Sequence, residues 1–235
     1  MSSSASLKPP PAGLPRQRVV SPSTGTPGPP PPPRAPVSVH STTTVSETAT
    51  FHGTYPITIG SGTVIHPRAR LYSFEGPIHI GDGCVIGEKC AIGDNEPTAQ
   101  PASDAEGITT RLSSSVTIGP QTTIRTGAYI RSAAAVDALA VVNRNAIVGS
   151  HSKVCSRCEV PEKSTVEDWT VVWAAGQGIG QRKRRRLVGP AAVVSEKDQR
   201  PNAKRVEDAR LVVLHKEREG LAKMISLSAS GGKRR

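Results

Sequence analysis

The stretch from Ile118 to Gln177 reads, in six-residue steps, IGPQTT IRTGAY IRSAAA VDALAV VNRNAI VGSHSK VCSRCE VPEKST VEDWTV VWAAGQ. Every step begins with Ile or Val. A small residue follows four places later in each step, namely Thr122, Ala128, Ala134, Ala140, Ala146, Ser152, Cys158, Ser164, Thr170 and Gly176. A period of six fits neither an amphipathic helix nor a long half-buried strand, so the stretch is a hexapeptide repeat.

This period predicts how the backbone folds. Six residues form one side of a triangular coil, and three sides form a coil of about eighteen residues. Successive coils stack roughly 4.8 Å apart, with backbone hydrogen bonds running between them. The aliphatic residue points into the prism and the small residue fits the tight corner. We therefore predict an all-β protein, a left-handed parallel β-helix, with a C-terminal α-helix and a disordered Pro-rich N-terminal tail.

The same frame extends toward the N-terminus, and we predict that the β-helix covers residues 57–177. Three extra residues between Leu71 and Ile80 predict a bulged corner. The Gly and Asp residues of the recurring Ile-Gly-Asp/Glu steps predict tight turns, because they tolerate left-handed backbone conformations. Residues 94–115 break the pattern with an acidic, Pro-bearing loop. Such a loop is either functional or disordered.

Residues 1–56 are rich in Pro, Ser and Thr, and we predict that they form a disordered tail. The alternative to a simple solvated tail is a ligand for an SH3-type groove. Pro29, Pro32 and Arg34 match the weak Pro-x-x-Pro-x-Arg pattern of such ligands.

Residues 178–201 are predicted to be a basic linker that contains the run Arg182 to Arg186. That run is either a solvated segment or a nuclear-import or anion-binding patch. A helix is predicted at 202–225, packed along the coil or over its end, and a disordered basic tail at 226–235. The residues predicted to share one helix face are Val206, Leu211, Val213, Leu214, Leu221 and Ile225.

The net charge of +11 is unevenly distributed along the chain. Residues 1–56 carry +3, residues 57–177 carry −2 and residues 178–235 carry +10. The near-neutral coil disfavours a specific nucleic-acid binder that would use the C-terminal basic run. The sequence contains no long apolar run and no signal-peptide pattern, so we expect a protein of the cytosol or nucleus without a transmembrane segment.

The enzymes most often built on this fold are acyltransferases and zinc-dependent carbonic anhydrases. Both depend on histidine, so the positions of the six histidines indicate whether such chemistry is present. His40 and His52 lie in or beside the predicted tail and His215 lies on the predicted helix. His66, His79 and His151 are expected to point to solvent from the coil without converging. His151 could act as a general base, but the sequence offers it no partner.

The cysteine and carboxylate spacings also bear on enzymatic or metal chemistry. Cys155 and Cys158 have a Cys-x-x-Cys spacing, but the frame places Cys158 at an inward corner and Cys155 outside. Cys84 and Cys90 also fall on corners and are expected to be buried structural residues. The carboxylates offer no paired acid and base. We therefore predict no catalytic, cofactor-binding or metal-binding residues and no cofactor.

Two blocks of sequence resemble a known family. They are Thr63-Val64-Ile65-His66-Pro67-Arg68-Ala69-Arg70 and Gly76-Pro77-Ile78-His79-Ile80-Gly81-Asp82-Gly83. Both resemble the start of the dynactin subunit six family, which also interrupts its coil with an acidic loop and ends in a helix. The resemblance covers about residues 57–224. The Pro-rich tail and the Arg182 to Arg186 run depart from the animal pattern.

The resemblance implies a non-catalytic subunit of the dynactin pointed-end complex, located in the cytoplasm on the microtubule cytoskeleton. It implies pairing with dynactin subunit five, contact with the pointed-end actin-related protein, and support for dynein adaptors or cargo. The alternative is a hexapeptide-repeat enzyme, either an acyltransferase or a carbonic-anhydrase-like homotrimer. The two hypotheses differ in the native mass that they predict. A dynactin subunit predicts a large hetero-oligomer, whereas the enzyme predicts a homotrimer.

Overall fold

A computed structural model describes residues 34–95, 108–174, 181–185 and 203–231. The chain divides into two units, Met1–Pro31 and Pro32–Arg235, and every described residue belongs to the second. The predicted tail before Arg34, including Pro29 and Pro32, lies outside the described residues.

The described chain forms a parallel β-helix with three faces, each a stack of short strands. The first face contains β1 (Val37–Val39), β4 (Ile57–Ile59), β7 (Ile78–Ile80), β10 (Thr110–Leu112), β13 (Tyr129–Ile130), β16 (Ile147–Val148) and β19 (Thr165–Val166). The second contains β2 (Thr44–Val45), β5 (Val64–Ile65), β8 (Val85–Ile86), β11 (Thr117–Ile118), β14 (Ala135–Val136), β17 (Lys153–Val154), β20 (Thr170–Ala174) and β21 (Gln181–Arg185). The third contains β3 (Thr50–Gly53), β6 (Arg70–Ser73), β9 (Ala91–Ile92), β12 (Thr123–Ile124), β15 (Val141–Val142) and β18 (Glu159–Val160). The strands β1 to β18 thus make six complete coils, and β19 and β20 begin a seventh.

The inward ladder predicted from the repeat is confirmed. Equivalent residues of successive coils pair directly, as Ile59 does with Ile80 and Val148 with Val166. Apart from the first coil, the inward aliphatic residues are almost completely buried. They are Ile59, Ile65, Leu71, Ile80, Ile86, Ile92, Leu112, Ile118, Ile124, Ile130, Val136, Val142, Val148, Val154, Val160, Val166 and Val172. Burying one such side chain contributes roughly 1.5–3 kcal/mol, so this ladder is the main source of stability.

The corners show two different constraints. From the second coil onward, the third residue after most inward positions adopts a left-handed conformation even when it is not glycine, as at Leu139 (φ 60°) and Trp169 (φ 59°). The prediction that the Gly-Asp/Glu steps supply this conformation is wrong at Gly81 and Gly87. These glycines instead allow close stacking, because a Cβ at Gly87 would lie 2.7 Å from the backbone of Gly119.

The predicted start of the coil at residue 57 is wrong, because residues 37–53 already form a complete coil. Val39 pairs with Ile59, Val45 with Ile65 and Phe51 with Leu71. His52 therefore lies in a strand and not beside a tail. Val39, Val45 and Phe51 are six residues apart, so the frame was present in the sequence. The two extra residues before Ile59 concealed it.

Two further boundaries differ from the sequence prediction. The predicted loop at 94–115 is shorter, because β10 has already resumed the coil at Thr110, and residues 96–107 are not described. The segment predicted as a basic linker contains β21, which pairs antiparallel with β20 through residues such as Lys183 and Val172. An exposed strand edge at the end of the coil favours this pairing, since it satisfies backbone groups that would otherwise lack partners.

The C-terminal helix α1 (Ala203–Gly231) runs along the coil, and it extends past the predicted end at residue 225. Arg210 contacts the fifth coil and Arg218 the third, so the helix runs antiparallel to the direction of coil stacking. It covers outward residues of the second face such as Val64, Val85 and Ala135, which are buried. Among the described residues, no helix is long and apolar enough to cross a membrane.

Candidate functional site

The junction between α1 and the coil is centred on a buried carboxylate. The side chain of Glu207 is only 2% exposed. Arg210 donates hydrogen bonds from Nε and Nη2 to Oε1 of Glu207, at 2.9 and 2.6 Å. The same Nη2 donates to the carbonyl oxygen of Ala133 at 2.6 Å. Arg210 therefore pairs with the buried carboxylate and also fastens the helix to a corner of the coil.

His151 completes this junction from the coil side. It occupies a corner in the left-handed conformation, and its ring stacks on Trp169 with the centroids 4.3 Å apart. Its Nδ1 lies 3.6 Å from Oε1 of Glu207, makes no hydrogen bond and is buried. The structure thus supplies the partner that sequence reasoning did not find. A carboxylate beside a histidine can orient the imidazole as a general base. Here, however, the carboxylate is also bound by Arg210 at the helix junction.

A second set of contacts fastens α1 farther along. Leu214 is buried, and Nη1 of Arg218 donates to the carbonyl oxygen of Gly83 at 3.1 Å. Glycine favours this contact in two ways. Its φ is +64°, and a Cβ there would lie 2.3 Å from Nη1 of Arg218. The helix and the corner are therefore fitted to each other.

An ionic cluster that includes Asp94 lies at the corner between the third and first faces. Nη2 of Arg144 lies 2.6 Å from Oε2 of Glu75 and 2.8 Å from Oδ2 of Asp94. Nη1 of Arg125 lies 3.0 Å from Oδ1 of Asp94. The hydrogen bond to Glu75 raises the pKa of Arg144, and Asp94 adds to the effect. The cluster links corners of the second, third, fourth and fifth coils.

The outer surface of the first face is polar. Oγ1 of Thr58 is hydrogen-bonded to Nδ1 of His79, and Arg111 and Arg131 both lie over the ring of Tyr129, 5.8 Å from its centroid. A shallow groove runs beside this row. Many of its lining residues carry hydroxyl groups, namely Ser38, Ser41, Thr58, Ser61, Ser113, Ser114 and Ser132.

The three histidines singled out in the sequence occupy different parts of the prism. His66 follows β5 at the corner between the second and third faces, where burial lowers its pKa. His79 lies on the first face, and His151 lies at the corner beneath α1. The structure does not bring them together. In the described residues, no group of three or more His, Cys, Asp or Glu side chains could hold a metal ion.

The cysteines are in the positions predicted for them. Cys84, Cys90 and Cys158 are buried corner residues, and Cys155 is half-buried. Burial raises the pKa of Cys84 and of Cys90 to about 11, and it also raises that of Cys158. The thiols of Cys84 and Cys90 donate to the carbonyl oxygens of Ser113 and Gly119. These contacts indicate packing and corner bonding.

Comparison with known proteins gives one partial sequence match. A stretch of 60 residues is 42% identical to dynactin subunit 6 of Xenopus tropicalis, covering 25% of this chain. The matched stretch spans 30% of that relative's length. No protein-family model matches the sequence.

Comparison with solved structures supports the fold. A Bacillus cereus protein assigned to the acetyltransferases superposes with a TM-score of 0.55 at 15% identity, covering 78% of this chain and 92% of its own. A hexapeptide transferase family protein from Anaplasma phagocytophilum superposes with a TM-score of 0.54 at 17% identity, covering 81% and 91%. At these identities the likeness shows a shared hexapeptide β-helix and nothing about activity.

The residues that sequence reasoning missed are all charged. Glu75 stands at a corner where the repeat calls for a small residue, which was a signal that it has a particular partner. The sequence around Glu207 and Arg210 gave less indication that these residues have particular partners. The helix face predicted from apolar residues was wrong for Val206 and Val213, which are about half exposed. The face that packs on the coil includes Leu214, as predicted, together with Glu207, Arg210 and Arg218.

Proposed function

We propose that this protein is a non-catalytic scaffold subunit of the dynactin pointed-end complex. In this role it would pair with dynactin subunit five, contact the pointed-end actin-related protein and support dynein adaptors or cargo in the cytoplasm. The observation that carries the proposal is the 42% identity over 60 residues to dynactin subunit 6 of Xenopus tropicalis.

The geometry of the described coil supports a scaffold in two ways. The histidines that could serve a β-helix enzyme lie on separate parts of the prism, and the one with a carboxylate partner, His151, lies at the helix junction. The outward residues in the middle of the third face, Ala91, Thr123 and Val141, are short, which suits docking against another flat surface. Rigid coils that present flat faces are suited to holding partners in fixed positions.

The experiment is co-expression with dynactin subunit five and the pointed-end actin-related protein, followed by size-exclusion chromatography and mass measurement. We expect a stable complex that contains all three chains. The doubly substituted protein His66→Gln/His79→Gln should form the same complex. It leaves His151 in place, because that ring supports the α1 junction.

The enzyme alternative makes the opposite prediction. It requires a homotrimer that excludes the dynactin chains, with acyl-coenzyme A turnover or bound zinc that the double substitution reduces. A homotrimer with zinc or acyltransfer activity would overturn the scaffold proposal. A three-chain complex without turnover would support it.

A further inference from the structure

Helix α1 has a second apolar face that points away from the coil. Val206, Val213 and Met224 are 49%, 53% and 60% exposed. At 3.6 residues per turn these three side chains lie within about 20° of one another around the helix axis. They form a single line, which we call the outer stripe, about 110° from the side chains of Glu207, Leu214 and Arg218 that pack on the coil.

The middle of the outer stripe is open to close approach. Gly220 lies on the same line, between Val213 and Met224, and a Cβ built on it would meet nothing within 4 Å. A glycine inside an exposed helix costs up to about 1 kcal/mol relative to alanine, and no contact of the described chain explains it. A surface with large apolar groups on either side of a gap can accept a side chain from a second helix.

The outer stripe has a basic edge. Arg205, Lys216 and Lys223 are exposed and lie together on the side of the stripe away from the coil, about 80° from it. One exposed acidic residue, Glu217, borders the outer stripe on its coil side, about 20° around the axis from Val206 and Met224. We propose that the outer stripe is the docking surface for an amphipathic helix of a partner protein, with an apolar face and an acidic edge.

A second copy of this chain fits the surface less well. In an antiparallel pair of α1 helices the basic edges of the two copies would face each other, which is unfavourable. In a parallel pair each basic edge would face the coil side of the other copy, where the coil itself lies. Helix α1 carries six Lys or Arg residues and four Asp or Glu residues, a net charge of +2, which also favours an acidic partner. This inference does not depend on the dynactin proposal.

The test uses the full chain and two synthetic helical peptides with identical leucine heptads. One peptide carries Glu at the flanking positions, and the other carries Lys. A scrambled form of the Glu peptide controls for simple attraction to a basic protein. Binding is measured by fluorescence anisotropy, and we expect the Glu peptide to bind at least tenfold more tightly than either of the others.

Substitutions then locate the binding surface. Val213→Gln/Met224→Gln should weaken binding of the Glu peptide at least tenfold. Val212→Gln is the matched control, since Val212 is 58% exposed on the same helix but lies about 100° around the axis from Val213. It should change the affinity less than twofold. Lys216→Glu/Lys223→Glu should reverse the preference between the two charged peptides. Circular dichroism and thermal melts must show that all variants remain folded.

Several outcomes would overturn the proposal. They are equal binding of the Glu peptide and its scrambled form, equal loss in the Val212 control and in the double variant, and a charge preference that the Lys substitutions leave unchanged. Stripe-dependent self-association in sedimentation would assign the surface to a second copy instead. Stripe-dependent binding to vesicles of phosphatidylserine and phosphatidylcholine, without peptide binding, would assign it to a membrane.

Discussion

Oε1 of Glu207 lies 3.6 Å from Nδ1 of His151, and this contact joins the C-terminal helix to a corner of the sixth coil. The carboxylate is almost fully buried, and Arg210 binds it from the same helix. Arg210 and His151 therefore both lie beside this buried carboxylate. Together with the contacts of Leu214 and Arg218, the junction fastens α1 to the coil.

The first prediction concerns this junction. Glu207→Ala should lower the free energy of unfolding by about 1–3 kcal/mol, because it leaves the guanidinium of Arg210 without its carboxylate acceptor at the junction. It should also make α1 more sensitive to limited proteolysis. Glu217→Ala, on the exposed side of the same helix, is the control and should change neither. Equal proteolysis of the two variants would show that Glu207 does not anchor the helix.

The second prediction concerns the inward ladder. Val148→Asp places an unpaired carboxylate at a fully buried position between Ile130 and Val166, so it should cost several kcal/mol and disrupt the stack. Ile147→Asp, one residue away on the outer surface, should cost much less. Chemical denaturation of both variants measures the difference. Similar losses at the two positions would contradict the assigned direction of the side chains.

The third prediction concerns the ionic cluster formed by Glu75, Asp94, Arg125 and Arg144. Arg144→Ala removes the cation shared by Glu75 and Asp94, whose side chains are only 11% and 10% exposed. We expect a loss of about 3 kcal/mol, because two nearby buried carboxylates then lack that partner. Arg125→Ala should cost less, since Arg125 is 47% exposed and binds Asp94 alone. Thermal denaturation tests whether the order of the two losses holds.

The fourth prediction concerns pH and thiol reactivity. The pKa of Cys84 and of Cys90 is raised from 9.0 to about 11 by burial. In the unfolded chain these thiols lose their protons near pH 9, so their contribution to stability should be full below pH 9 and decline as the pH rises toward 11. Cys84→Ala/Cys90→Ala should reduce this decline. Denaturation at pH 8 and pH 10 of both proteins measures it.

Alkylation provides a separate test of the same assignment. At pH 8 iodoacetamide should modify the half-buried Cys155 in the folded protein and leave Cys84 and Cys90 intact. Mass spectrometry of tryptic peptides identifies the modified residues. Rapid modification of Cys84 in the folded state would be inconsistent with a buried corner thiol.

The fifth prediction concerns the first coil. A chain that begins at Thr50 lacks β1 and β2, which pair with β4 and β5, so it should melt several degrees lower. A chain that begins at Arg34 keeps this coil. From the sequence of the preceding tail we expect it to retain the melting temperature of the full protein. Equal melting temperatures for the two shortened chains would show that the first coil contributes no stability.

The amino-acid sequence by itself determined the coil. Inward residues such as Val142 and Val148 recur at a fixed spacing, and each contacts the equivalent residue of the next coil. The period can be recognised in the sequence because every coil packs its inward side chains in the same way. Even the missed first coil carried this signal at Val39, Val45 and Phe51.

Only the tertiary structure decided which charged residues meet. Glu207 reaches His151, and Arg144 reaches Glu75, across long stretches of sequence that have no common spacing. The tertiary structure also decided which face of α1 packs on the coil. An apolar pattern predicted Val206 and Val213, whereas the corners required hydrogen-bond donors such as Arg210 for the carbonyl oxygen of Ala133. Contacts between different elements depend on where their backbones lie, and a repeat within one element does not specify that.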